Sequence, residues 1–146
     1  MTEIFTEIDV VYGVATGCAH LGDAYRELGD LDQAWSYGQR GCDLFVTMGD
    51  RQGQGYALTR LARTGRRRGD PAAALALCDE AEVAGRETGD RWGEADALEV
   101  RGQTLREVGD EHAATCALTR ALEIFEGLDD RRASLLRAQL QATDSL

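Results

Sequence analysis

Residues 21–50 read LGDAYRELGDLDQAWSYGQRGCDLFVTMGD and contain two glycine-aspartate pairs twenty residues apart, Gly29-Asp30 and Gly49-Asp50. The pair returns at Gly69-Asp70, Gly89-Asp90 and Gly109-Asp110, and Asp129-Asp130 takes the sixth place. Glycine ends helices because it enters the left-handed conformation without a Cβ clash, and aspartate begins the next helix by accepting a hydrogen bond from a first-turn amide. The amphipathic segments between the pairs are about 18 residues long, or ~27 Å of helix. The sequence therefore predicts an all-α row of helical hairpins.

Small residues show that the true period is forty rather than twenty, because alternate segments match each other better than neighbours do. Three columns contain only glycine or alanine: Gly22, Ala62 and Gly102; Ala34, Ala74 and Ala114; Gly41, Ala81 and Ala121. Small side chains at fixed places let two helix backbones approach closely. We expect the first column on one helix of each hairpin and the other two columns on its partner helix.

These columns and turns resemble the tetratricopeptide repeat, most specifically at Leu21-Gly22, Tyr25 and the stretch from Gly29 to Ala34. The resemblance covers nearly the whole chain and is closest to the longer, forty-residue variety. It implies an α-solenoid, a right-handed superhelix of three hairpins and a C-terminal capping helix. We expect one domain over residues 1–146, divided into a stub of a preceding helix (1–9), repeat 1 (10–48), repeat 2 (51–88), repeat 3 (91–128) and the capping helix (131–142).

The first ten residues, MTEIFTEIDV, align with residues 121–130, ALEIFEGLDD, at three full periods. They resemble the last turns of a second-type helix whose beginning is missing, as in one end of a longer array. We expect Ile4, Phe5 and Ile8 to cover the first hairpin incompletely. An uncovered repeat face is adhesive, so this edge predicts self-association.

Charge and composition restrict the classes of partner. The net charge is -10, which disfavours a nucleic-acid binder because such proteins need a basic face. No apolar run is long enough to span a membrane, and no secretory signal is recognisable, so we expect a cytoplasmic protein without membrane contact. All sixteen basic residues are arginine, a bias typical of a GC-rich bacterial genome.

Patterns for catalysis, cofactors and metals are weak. Cys18 and His20 are two residues apart on a predicted helix and point in different directions. The four cysteines, at 18, 42, 78 and 116, form no metal-binding pair and are typical of small buried side chains. We predict a protein that is not an enzyme and has no catalytic residue, cofactor or metal site.

A row of arginines is the main candidate site. In proteins that this chain resembles, the first helix of each hairpin lines the concave groove; here these helices are roughly 10–28, 51–68 and 91–108. Arg60, Arg63 and Arg67 fall at i, i+3 and i+7 of the middle one, and Tyr56 lies one turn earlier. The candidate partner-binding residues are Asp23, Arg26, Tyr56, Arg60, Arg63, Arg66, Arg67, Gln103 and Arg106.

Two interpretations of these arginines remain open. In the first interpretation, the arginines bind an acidic peptide, a carboxylate terminus or a phosphate through the forked guanidinium geometry. Alternatively they neutralise Asp23, Glu27, Glu99 and Glu107 on the neighbouring helices. The first interpretation predicts that the double substitution of Arg63 and Arg67 by alanine weakens the partner and spares stability, whereas the second predicts the reverse.

Forty-residue arrays resemble the C-terminal sensor regions of large bacterial transcription activators. That resemblance implies a non-catalytic protein-protein interaction module with a regulatory role. The alternatives are a free-standing scaffold or adaptor protein and a small-ligand sensor that uses the groove around Tyr56 and Trp92.

Overall fold

The computed structural model describes the backbone of residues 2–144 and the side chains of residues 6–142. Within this range the chain forms seven α-helices and no strand. The helices are α1 (Thr2–Leu28), α2 (Leu31–Met48), α3 (Arg51–Arg67), α4 (Pro71–Thr88), α5 (Arg91–Glu107), α6 (Glu111–Gly127) and α7 (Arg132–Asp144). The all-helical prediction is confirmed.

The turns between helices have the chemistry that the glycine-aspartate pairs predict. Each glycine of the five pairs has a positive φ, between 71° and 89°. Each following aspartate accepts a hydrogen bond from the backbone amide three residues later, over 2.9 to 3.2 Å. At the sixth turn Asp129 takes the left-handed conformation itself, with φ 55°. The twenty-residue spacing of the glycine-aspartate pairs is therefore the spacing of helix ends and N-caps.

The start of the chain differs from its prediction. Residues 2–9 are not a separate stub but the first turns of α1, a continuous helix of 27 residues. The reason is local: Val10 stands where the aligned segment has Asp130, whose carboxylate accepts a hydrogen bond from the backbone amide of Arg132, so the side chain that would start a new helix is missing. The side chains of Ile4 and Phe5, which we expected at an uncovered edge, lie outside the described residues.

The small-residue columns lie where paired helices cross, as predicted. A Cβ added to Gly22 in α1 would lie 3.2 Å from the carbonyl oxygen of Ala34 in α2. A Cβ on Gly41 would lie 3.2 Å from the carbonyl oxygen of Ala15. Ala34, Ala74 and Ala114 are completely buried. The forty-residue period is thus the repeat of one close helix crossing.

The hairpins form two layers, which we call the A layer (α1, α3 and α5) and the B layer (α2, α4 and α6). Within the A layer, α1 contacts α3 and α3 contacts α5. In the described part of the chain, no pair of Cα atoms within 8 Å joins α2 to α4 or α4 to α6. Neighbouring hairpins are therefore closer on the A side, and the row curves with the A layer on its inner, concave surface.

Helix α7 covers the end of the row. Ala133 and Leu136 are buried against Ile124 and Phe125 of α6, as expected of a capping helix. Leu135, next to Leu136 on the chain, is 65% exposed. One turn of the cap thus keeps a large apolar side chain in solvent.

Candidate functional site

All nine predicted site residues lie on the A layer. Asp23 and Arg26 are on α1, Gln103 and Arg106 are on α5, and the other five are on α3. Their side chains do not form one free cationic surface, because most of the guanidinium groups are already bound within the chain. The contacts fall into three groups along the layer.

The first group joins α1 to α3 through Asp23. Its carboxylate receives Arg26 over 2.9 Å and also Arg60 from the next helix. Arg26 is 8% exposed and donates to the carbonyl oxygen of Arg60 over 3.1 Å. Burial lowers the pKa of Arg26 and Arg60, and the nearby Arg63 adds to the effect. These two arginines hold two helices together around one carboxylate.

The second group joins α3, α5 and α7, and its centre is a residue that sequence reasoning missed. Asp96 is 6% exposed and accepts from Arg63 of α3 and from Arg132 of α7. Arg132 also binds Glu99, so Glu99 pairs with the cap and not with the arginine row. Burial raises the pKa of Glu99, although Arg132 opposes the shift. The signal was available, since Thr16, Tyr56 and Asp96 occupy equal places in successive repeats.

The third group lies at the other end of the A layer. Arg66 binds Glu107 over 2.6 Å and the Gln103 side chain over 2.8 Å. Arg67 is exposed and donates to the carbonyl oxygen of Arg26 over 2.8 Å. Arg106 lies 3.7 Å from Glu111, and its Nε and Nη2 atoms are buried without a hydrogen-bond partner. Arg60 Nε is likewise buried without a hydrogen-bond partner, so Arg67 is the arginine of this group that presents its donors to solvent.

A cavity of about 470 Å³ opens at the N-terminal ends of α3 and α5. We call it the aromatic pocket, because its walls carry an aromatic side chain from each A-layer helix: Tyr12, Tyr56 and Trp92. The other lining residues are Thr16, Phe45, Asp50, Gln52, Gly53 and Asp90. Tyr12, Gln52 and Trp92 occupy equal places in the repeat, which is the sequence signal for this site. Of this group, the sequence analysis identified only Tyr56 and Trp92.

Polar contacts fix two of the rings. Tyr56 Oη lies 3.2 Å from Nε2 of His20, and the guanidinium of Arg60 lies 4.1 Å from the centre of the Tyr56 ring. Burial raises the pKa of the Tyr56 hydroxyl. Trp92 donates its indole N–H to Asp130 over 3.0 Å. The Thr16 hydroxyl is buried at the pocket wall without a hydrogen-bond partner.

The cysteines divide into two kinds. Cys18, Cys42 and Cys78 are buried, and burial raises the pKa of Cys42 and Cys78 to about 12, so their thiols are protonated and inert at neutral pH. Cys116 is exposed, contrary to the expectation that all four are buried. Its sulfur lies 4.0 Å from Nε2 of His112.

The described residues contain no group of three or more histidine, cysteine, aspartate or glutamate side chains arranged to hold a metal ion. None of their helices is both long and apolar enough to cross a bilayer.

Comparison with known proteins relates the chain to one architecture. No family model matches the sequence, and no curated protein matches it. Among solved structures, the N-terminal domain of stress-induced protein-1 (STI-1) from C. elegans is similar, with a TM-score of 0.67 and 20% sequence identity. The match covers 90% of this chain and 97% of that domain. The chain therefore has the tetratricopeptide-like α-solenoid fold that its turns and small-residue columns predict.

Proposed function

We propose that this chain is a non-catalytic protein-interaction module whose concave A layer binds a segment of a partner protein. The observation that carries the proposal is the aromatic pocket, where Tyr12, Tyr56 and Trp92 from three successive helices surround a cavity of about 470 Å³. Partly exposed aromatic side chains that meet in a cavity are typical anchors for a ligand. Tyr12 and Trp92 are 53% and 39% exposed.

The arginine row contributes the polar part of the proposed surface. Arg67 is exposed and keeps donors for backbone carbonyls or a carboxylate of the segment. Arg60, Arg63 and Arg66 each hold a carboxylate of this chain, so an acidic peptide would have to displace Asp23, Asp96 or Glu107. The geometry favours the counter-charge interpretation for these three arginines. The complete proposed surface is the aromatic pocket together with Asp23, Arg26, Arg60, Arg63, Arg66, Arg67, Gln103 and Arg106.

Within this class we place the chain in the regulatory or sensor region of a cytoplasmic bacterial transcription regulator. The support is the forty-residue repeat and the exclusive use of arginine as the basic residue. A free-standing scaffold is the alternative, and the complete reading frame of the gene distinguishes the two. A DNA-binding and nucleotide-hydrolysing region upstream supports the regulator, whereas its absence supports the scaffold.

Selection from a random peptide library displayed on phage tests the binding function. We expect selected peptides to bind the chain and to lose affinity with Tyr56→Ala. The matched control is Tyr37→Ala, because Tyr37 lies on α2 and stacks on Tyr25, with ring centres 5.5 Å apart, away from the pocket lining. Peptides that bind both variants and the parent chain equally would contradict the A layer as the binding surface.

A small-molecule sensor is the second candidate, and the same cavity supports it, since 470 Å³ lies in the range of pockets for small ligands. A thermal-shift screen with metabolites separates the two functions. A metabolite that stabilises the parent chain but not Tyr56→Ala would favour the sensor.

A further inference from the structure

Two carboxylates in the wall of the aromatic pocket indicate the charge of its ligand. Asp50 and Asp90 line the cavity as the N-caps of α3 and α5. Each uses Oδ1 for its cap, accepting from Gly53 and Gly93 over 2.9 Å. Among the described residues, Oδ2 of neither aspartate takes part in a hydrogen bond or ion pair shown by the structure. Each carboxylate thus keeps one oxygen for an external donor.

The helix ends do not cancel this charge. A helix N-terminus carries about half a positive elementary charge, and each carboxylate carries a full negative one. Roughly half a negative charge therefore remains at each of the two caps. One first-turn amide of each helix, that of Gly53 in α3 and that of Gly93 in α5, already donates to Asp50 or Asp90. The pocket therefore favours a cation over an anion.

Nearby arginines do not supply the missing cation. Arg51 follows Asp50 but binds Glu87 of α4 over 2.8 Å. Arg91 follows Asp90 and lines a separate cavity with Arg86 and Arg120. Arg60 is neutralised by Asp23, and the structure gives it no contact with Asp50.

The rings of the pocket already accept guanidinium groups from this chain. Arg60 lies 4.1 Å from the centre of the Tyr56 ring, and Arg132 lies 5.3 Å from the centre of the Trp92 ring. Tyr12, which packs edge-on against Phe45, has no such arginine among the described residues. Aromatic faces and carboxylates together are the usual surroundings of a bound organic cation.

We propose that the aromatic pocket binds a guanidinium or ammonium group, carried by an arginine or lysine side chain of the partner segment. The cation would lie between Tyr12, Tyr56 and Trp92 and donate to the free oxygens of Asp50 and Asp90. This inference rests on the proposed function and adds that the side chain of the partner that enters the pocket is positively charged. Its source is a protein segment because the pocket is continuous, through Tyr56, with the polar surface of α3.

The test is a nuclear magnetic resonance titration with the peptide Ac-GSGRGSG-amide and two controls, in which citrulline or glutamate replaces the arginine. Citrulline keeps the shape of arginine and removes its charge. We expect the arginine peptide alone to shift the indole N–H signal of Trp92. Trp35 is an internal control, because it lies beside Arg68, twelve residues beyond Tyr56 on the chain or ~18 Å along a helix.

The decisive variant is Asp50→Asn with Asp90→Asn, since asparagine retains the N-cap while it removes the charge. We expect its affinity for the arginine peptide to fall about tenfold or more, the loss typical of a charge-assisted hydrogen bond. The matched control, Asp70→Asn with Asp110→Asn, makes the same chemical change at the N-caps of α4 and α6. We expect this control to bind like the parent chain.

Each contrary outcome identifies what failed. Equal binding of the citrulline peptide, or equal loss in both double variants, would overturn the cation assignment. Equal affinity for N-acetylarginine amide and for the peptide would overturn the protein segment as its source. If library peptides bind the A layer without a basic residue, the inference falls and the proposed function stands; if no peptide binds the A layer, the proposed function falls as well.

Discussion

Arg132 at the start of α7 donates to the carboxylate of Asp96 in α5, with Nη1 2.7 Å from Oδ1. The same oxygen accepts from Arg63 of α3. One buried carboxylate therefore links the middle hairpin, the last hairpin and the capping helix. The link lies on the concave surface, next to the aromatic pocket. Arg132 also lies over the ring of Trp92, which lines that pocket.

Removal of this carboxylate should destabilise the whole row. Asp96→Ala leaves Arg63 and Arg132 without their shared partner in a site where both side chains are about three-quarters buried. Loss of one member of a buried ion pair costs about 3 to 5 kcal/mol, and partial exposure of the arginines reduces our expectation to about 2 to 3 kcal/mol. Urea unfolding followed by circular dichroism measures the change.

The control for Asp96 is an exposed pair of the same chemistry. Glu87 binds Arg51 over 2.8 Å, with its side chain 56% exposed. We expect Glu87→Ala to change the free energy of unfolding by less than about 1 kcal/mol. Similar losses for the two variants would mean that the Asp96 cluster is not a structural centre.

The arginine row should separate into structural and free members. Arg63→Ala removes a donor from buried Asp96 and should lower the free energy of unfolding by about 1 kcal/mol. Arg67→Ala removes an exposed side chain that contacts a carbonyl oxygen and should cost less than about 0.5 kcal/mol. Thermal and urea unfolding of the two single variants give the comparison. Equal stability of both variants, together with loss of peptide binding in Arg63→Ala, would restore Arg63 as a ligand-binding residue.

Two glycines that lie inside helices should respond in opposite directions to alanine. No atom lies within 4 Å of a Cβ added to Gly17, in the interior of α1, so Gly17→Ala should stabilise by about 0.5 to 1 kcal/mol through reduced backbone entropy. A Cβ on Gly85 would lie 2.9 Å from the backbone nitrogen of Glu94 in α5. Gly85→Ala should therefore push α4 and α5 apart and destabilise by about 1 to 3 kcal/mol. The melting temperatures should move to opposite sides of the parent value, and a shift in the same direction would contradict the close crossing.

The features that the sequence predicted are those with a local cause or an exact period. A glycine-aspartate pair determines its own turn, and the close helix crossing at Gly22 involves only the next helix along the chain. The central role of Asp96 was not predicted, because its partners lie 33 and 36 residues away on two different helices. Gly65 stands at the repeat place of Tyr25, and the sequence did not predict that Trp35 borders the space left there, 3.4 Å from the Cβ position. The candidate site residues lie on the first helix of each hairpin, where the sequence puts them, but the pairing of their arginines depends on side-chain reach between helices.

Burial of Glu82 should produce a pH-dependent stability difference. Glu82 is 4% exposed, and its pKa is raised because burial outweighs the nearby Arg101, which lies 2.7 Å away; Asp79 adds to the rise and Arg86 opposes it. A raised pKa means that the folded state holds the proton more tightly than the unfolded state. The stabilisation is complete below the ordinary value of 4.5 and is lost as pH rises through the folded pKa.

At neutral pH the charge on Glu82 therefore opposes folding, and the neutral isostere avoids that cost. We expect Glu82→Gln to raise the melting temperature near pH 7, and the difference from the parent chain to shrink as pH falls below 4.5. Paired thermal unfolding curves from pH 3 to pH 8 measure it. A variant that is less stable at pH 7 would show that the bond to Arg101 outweighs desolvation.

The face of α1 that carries Val10, Gly13 and Val14 should mediate self-association. Gly53 of α3 packs on the Phe45 ring of α2, whereas nothing lies within 4 Å of a Cβ at its repeat equivalent, Gly13. Val10 and Val14 flank Gly13 and are 59% and 43% exposed. An exposed apolar helix face in a repeat array normally packs on another helical hairpin, so we expect a second copy of the chain to cover it. We expect light scattering to detect oligomers that grow with protein concentration and that Val14→Glu disperses by adding a charge to the contact. Val108→Glu is the matched control, because Val108 is 50% exposed at the opposite end of α5 from the pocket. A parent chain that stays monomeric at millimolar concentration, or oligomers that both variants disperse equally, would exclude this face as the contact.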